Sequence, residues 1–123
     1  TVLVMLADHG EEVYDYRPRY GRDDWKLGDS PADVLRWQDS VPFVVWCSDR
    51  YRALHPALIE ELQHATTRPM MIDNTCQLLF KLAGLQTPYY NSSRDVTSDD
   101  YRCPPRGVND VCNYDSIMQV AKQ

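Results

Sequence analysis

No apolar stretch of the 123-residue chain approaches the roughly 20 residues that a membrane-crossing helix needs, so none of it reads as a span. Positive charge is in deficit: the net charge is -5, whereas a surface built for nucleic acid selects a basic face. Cysteine is sparse as well, and the 4 present are too few for a disulfide scaffold and lack zinc-finger pairing. Cys47 and Cys76 fall in predicted regular elements and read as buried free thiols, while Cys103 and Cys112 lie in a late polar stretch where pairing in an oxidising compartment stays open. Repeats, flexible linkers, an initiating Met and a signal peptide are all missing. A chain that opens inside an apolar run reads as a piece of a larger protein. The hydrophobic content of 43% nevertheless suffices for one core over residues 1–123.

What is present is concentrated at the start, where Val2, Leu3, Val4, Met5, Leu6 and Ala7 run into Asp8-His9-Gly10-Glu11. An unbroken aliphatic run predicts a strand buried on both faces, as in a parallel sheet covered by helices. In such sheets the ligand site lies beyond the carboxyl ends of the strands, where Asp8 and His9 fall, and Gly10 lets the backbone turn sharply away. A carboxylate beside an imidazole suits a divalent metal; catalytic zinc takes three protein ligands and keeps one position open, and Asp8 and His9 would supply two of them. The alternative is that Asp8 caps the following turn and His9 is a polar loop residue.

Further along, Ser30-Pro31-Ala32-Asp33 is a helix start, since Ser30 can cap, Pro31 suits the first helical position and Asp33 favours the positive helix end. The spacing predicts helices near 31–38, 55–66 and 74–83, a second strand near 42–47, and a possible short strand at Met70-Met71-Ile72. Val34, Leu35 and Trp37 should face inward on the first helix, and Ser48 and Asp49 read as loop caps or site-lining residues at the end of the second strand. Beyond Pro88 periodicity ceases, and residues 88–123 read as an irregular tail. His55 and His64 read as surface or cap residues of the second helix.

Between Val13 and Asp39 the apolar pattern stops, and Tyr14, Tyr16, Tyr20 and Trp25 alternate with Arg17, Arg19, Arg22 and Lys26. Guanidinium groups bond phosphate oxygens in pairs, so Arg17, Arg19 and Arg22 are candidates for a phosphorylated substrate. The plainer alternative is a solvated loop in which the arginines pair with Asp15, Asp23 and Asp24.

The stretch Leu3 to Asp15, with Asp8-His9-Gly10-Glu11-Glu12-Val13-Tyr14-Asp15 at its end, resembles the metal-binding segment of phosphoethanolamine transferases, a branch of the alkaline phosphatase and sulfatase superfamily. Val41 to Asp49 is similar to the next core strand of that family, and Ile72-Asp73-Asn74 with Leu78 to Leu85 is similar to its penultimate helix. The resemblance implies the C-terminal part of an α/β three-layer α/β/α sandwich with an incomplete sheet, a membrane bundle and a threonine nucleophile upstream, and a catalytic domain on the periplasmic side of a bacterial inner membrane. It implies zinc, a phospholipid donor and a lipid A or glycan acceptor. The family places a further histidine shortly after the motif; this chain has none between His9 and His55, and an arginine stands in as the candidate phosphate contact. Cys103-Pro104-Pro105-Arg106 resembles a sulfatase signature but is one residue short and lies on the wrong side of the Asp-His pair.

Three functions are thus in play: the transferase, a sulfatase or phosphodiesterase of the same superfamily, and a noncatalytic interaction domain. On its own, the chain should be inactive, bind zinc weakly or not at all, and be able to dimerise through an exposed sheet edge.

Overall fold

The computed structural model describes residues 1–23, 26–108 and 112–120, leaving out the side chains of Cys112 and Val120. In chain order it contains β1 (Val2–Leu6), β2 (Glu12–Val13), β3 (Tyr20–Gly21), α1 (Pro31–Gln38), β4 (Phe43–Cys47), α2 (Asp49–Leu54), α3 (Pro56–Ala65), α4 (Thr75–Leu82), β5 (Gly107–Val108), β6 (Cys112–Asn113) and α5 (Tyr114–Val120). Two compact units share these elements: Thr1–Leu3 with Val45–Pro104, and Val4–Val44 with Pro105–Gln123.

β1 and β4 form a two-stranded sheet. The Ser48 amide donates to the Thr1 carbonyl at 3.0 Å and the Thr1 amino group to the Ser48 hydroxyl at 2.9 Å, so the start of β1 lies beside the end of β4. That is the arrangement of an antiparallel pair, not the parallel one the aliphatic run suggests. Nor is the strand hidden on both faces: Leu3 is 57% exposed, Met5 55% and Trp46 51%. Two strands among the described residues make this sheet, and an aliphatic run that a wider sheet would enclose stands half in solvent. The result is a mixed α/β chain with short sheets, compatible with a piece of a larger domain.

In the unit that holds residues 4–44, α1 begins as the sequence dictates. The Ser30 hydroxyl accepts from the Asp33 amide, Pro31 fills the first turn, and Asp33 sits at the positive helix end. The helix buries Ala32, Val34, Leu35 and Gln38. Trp37, expected inward, is partly exposed, because the inward face continues to Gln38 instead. A hairpin, Gly107 opposite Asn113 and Val108 opposite Cys112, leads into α5, which packs beside α1; the Ser40 and Tyr114 hydroxyls lie 2.6 Å apart. Arg106 pairs with Asp115 and stacks 4.6 Å over the Tyr114 ring. Residues 107–108 and 112–120, within the stretch expected to be an irregular tail, therefore form regular elements.

The other unit is built on α2, α3 and α4 around Cys47, Ala65, Leu78, Leu82 and Val96. Ser48 caps α2, and Pro56 opens α3. Met70 to Ile72 make no strand; a 3-10 turn, Ile72–Asn74, leads directly into α4. Fully buried Asp95 is satisfied by the Tyr90 hydroxyl at 2.7 Å and by the Thr97 amide and hydroxyl at 2.9 and 2.8 Å, which pins the 90–97 segment. Its desolvation, with the Asp95 bond, pushes the Tyr90 hydroxyl well above the ordinary tyrosine range. Cys47 is a buried free thiol, as expected, but Cys76 is exposed, on the outer face of α4, and Cys103 is an unbridged, half-buried thiol. Its suggested partner side chain, Cys112, lies outside the described residues.

Candidate functional site

After β1 the backbone turns at Asp8, whose Oδ1 accepts the amide of His9 at 3.0 Å. That short loop bond does what aspartate commonly does in turns, and it also swings the two side chains to one side. His9 Nε2 comes to 3.7 Å from Asp8 Oδ2. The other ring nitrogen, Nδ1, is 2.9 Å from the Gly10 carbonyl. A carbonyl can only accept, so Nδ1 is the donor in that contact, and the nitrogen a metal would use is Nε2. The Asp8 side chain is 89% exposed and that of His9 41%. A carboxylate oxygen and an imidazole nitrogen converging in solvent are the donor types that zinc accepts, and they would fill two positions and leave the rest open. Among the described residues no three His, Cys, Asp or Glu side chains gather as a complete metal site.

Gly10 has a different reason for being glycine than the sharp turn expected of it. A Cβ there would sit 2.1 Å from the Trp37 carbonyl oxygen, and the Gly10 amide donates to the Gln38 carbonyl at 2.9 Å. The loop lies directly on the carboxyl end of α1, and only a residue without a side chain permits that approach.

Behind the turn lies a buried polar cluster. Glu12, 1% exposed, receives Arg17 Nε at 2.9 and 3.1 Å, Arg17 Nη2 at 2.7 Å and Gln38 Nε2 at 2.7 Å. Arg17 Nη1 reaches Asp29, and Gln38 also donates to the Asp23 carbonyl at 3.1 Å. The Arg17 fork holds the Glu12 carboxyl below the usual glutamate range, against desolvation, and Glu12 in turn raises Arg17. Asp29 is lowered first by the Lys26 amide that it accepts at 2.7 Å, with Arg17 assisting.

The three candidate arginines thus differ. Arg17 is engaged with Glu12 and Asp29 inside the loop. Arg19 pairs with Asp23 at 2.7 Å and Arg22 with Asp39 at 3.9 Å, both partly exposed. Burial pushes the Asp39 carboxyl up, with Arg22 opposing. Asp15, one of the expected partners, accepts the Val13 amide at 2.9 Å; Asp24 and Trp25 lie outside the described residues. Ser48 and Asp49 open α2, and His55 stacks on Tyr51 with centroids 4.4 Å apart, so these three serve local structure. Sequence reasoning missed Glu12, Asp29 and Gln38, which carry the loop. The residues Glu12 and Asp29 that flank Arg17 gave a charge signal, but Gln38 gave none.

No protein-family model matches the chain, and no solved structure matches it. Among curated proteins, phosphoethanolamine transferase CptA of Salmonella typhimurium is 29% identical over 94% of this chain and 20% of its own length. Phosphoethanolamine transferase EptC of Escherichia coli is 28% identical over the same shares. The chain is thus similar to phosphoethanolamine transferases over nearly all of its length. A third, EptA of Salmonella typhimurium, is 31% identical over 78% of this chain and 17% of its own length. The chain spans about a fifth of the length of the transferases it matches, 20% of CptA and of EptC.

Proposed function

We propose that the chain is part of the catalytic domain of a zinc-dependent phosphoethanolamine transferase, moving phosphoethanolamine from a phospholipid to a lipid A or glycan acceptor. The observation that carries this is the similarity to named transferases across 94% of the chain. Asp8 Oδ2 and His9 Nε2 would hold the ion, with the remaining ligand and a threonine nucleophile supplied by other parts of the parent protein. Held there, zinc would supply a lowered pKa for an attacking hydroxyl and positive charge to offset what develops on the transferred phosphoryl group. Nδ1 is occupied by the Gly10 carbonyl, so Nε2 would be the nitrogen offered to the ion. Arg19 and Arg22, partly exposed and paired with Asp23 and Asp39, can exchange those carboxylates for phosphate oxygens, whereas Arg17 holds the loop that carries them.

In this proposal β1 and β4 belong to the wider sheet of a three-layer α/β/α sandwich, and Leu3, Met5 and Trp46 face what covers it. In isolation the free edges of that pair would be open to a second copy. The catalytic domain would stand on the periplasmic side of a bacterial inner membrane; no described helix is long and apolar enough to cross one. The test is transfer from phosphatidylethanolamine to lipid A by the full-length protein. Asp8→Ala and His9→Ala should each abolish turnover, and chelation should do the same until zinc is restored. Unchanged transfer in both variants would overturn the proposal.

A further inference from the structure

We propose that Gln38 is a positioning residue for the Asp8–His9 pair and couples it to the Arg19–Arg22 stretch, an inference that rests on the metal-binding role given to that pair above. Gln38 closes α1, and its carbonyl and both ends of its side-chain amide are engaged. Its carbonyl accepts the Gly10 amide at 2.9 Å, immediately after His9. The side-chain Nε2 donates to Glu12 Oε2 at 2.7 Å and to the Asp23 carbonyl at 3.1 Å, and Oε1 accepts the Asp23 amide at 3.3 Å. One residue therefore grips the chain just past the metal pair, at residues 10 and 12, and again at residue 23, beside Arg22 and at the partner of Arg19.

The grip is stiff because its base is. α1 is capped by Ser30 and anchored by Val34 and Leu35, 2% and 0% exposed, and the Trp37 carbonyl fills the space that a Gly10 side chain would need. Gln38 itself is buried. An apolar residue of the same volume would fill that place without the desolvation cost of an amide, but it would leave Glu12 short of a donor and Asp23 untethered. Its bonds thus converge on the two segments expected to face the reacting phosphate, and supporting partners of this sort orient metal ligands.

The test uses the full-length protein and zinc itself, with affinity read by competition against a chromogenic chelator. Gln38→Met keeps the volume and removes the amide. It should weaken zinc about 10- to 100-fold and alter the visible spectrum of the cobalt(II)-substituted protein. Gln77→Met is the control: Gln77 is also buried, but its amide serves Tyr89 and Asn91. That variant should lower the thermal midpoint and leave zinc affinity and the cobalt spectrum unchanged. Wild-type zinc affinity in Gln38→Met, or equal weakening in Gln77→Met, overturns the proposal.

A measurement on the unaltered protein keeps the question open to refutation should Gln38→Met not fold. Zinc should slow hydrogen exchange at the Gly10 and Asp23 amides together, since Gln38 binds both; slowing at Gly10 alone would overturn the coupling. Zinc binding that survives Asp8→Ala and His9→Ala removes the metal-binding role and this inference with it. Binding lost in those two but retained in Gln38→Met removes this inference alone.

Discussion

Arg17 and Glu12 meet as a buried fork, with three N–O distances of 2.7 to 3.1 Å, in a loop that otherwise has little apolar material to hold it. Removing one partner leaves the other charge buried and alone, which costs about 3–5 kcal/mol where it has been measured. Arg17→Met should therefore lower the urea midpoint sharply with little change in slope, while Arg17→Met with Glu12→Leu should recover much of the loss. A single variant as stable as the parent would show the pair to be idle.

The same pair sets a pH dependence. Glu12 is held below its ordinary value, so its contribution is fully present above the unfolded glutamate pKa of about 4.3 and is lost as pH falls through the lower folded value. Asp29 and Asp115, also lowered, act in the same sense, and Asp39, raised by burial, acts in the opposite one. Thermal midpoints should fall steeply below about pH 4, and Glu12→Gln should flatten that fall while lowering the plateau. A parallel downward shift at all pH values would argue against the assignment.

Gly10→Ala probes the contact with α1. The new methyl would meet backbone, the Trp37 carbonyl at 2.1 Å, and backbone cannot swing aside as a side chain can. A loss of about 1–3 kcal/mol is expected from such overpacking, read by chemical denaturation. Gly84→Ala strains its backbone instead, because its φ is 64° while a Cβ there meets nothing within 4 Å. The two losses therefore have separate causes. Zinc affinity of the full-length protein should drop for the first variant only.

Which of these features could be read from the sequence follows from how far apart their causes lie. The start of α1 was legible because Ser30, Pro31 and Asp33 act within one turn. The apolar runs announced β1 and β4, yet their antiparallel pairing and half-exposed faces depend on which strands are available as neighbours. α2 escaped notice because six residues are too few for a period to show, although Ser48-Asp49 was its start signal. α5 follows residues without sustained periodicity and is placed by its packing on α1. At the site, Asp8 and His9 stood out as adjacent chemical types. Gln38 did not, because its partners at Gly10, Glu12 and Asp23 become neighbours only once the loop lies on the helix.

The isolated 123-residue chain should bind zinc weakly and transfer nothing. Asp8 and His9 provide two donors, and no third His, Cys, Asp or Glu joins them among the described residues. A catalytic zinc needs three protein ligands, so two exposed ones leave the ion held chiefly by water. The loop is braced by Gln38 and the Glu12–Arg17 fork, which limits the ordering cost of binding but cannot replace a missing ligand. Isothermal titration of the chain with zinc, alongside Asp8→Ala and His9→Ala, decides the matter. A weak isotherm that both variants abolish is the expected outcome. Tight one-to-one binding lost in His9→Ala would show that the chain completes the site from its own residues.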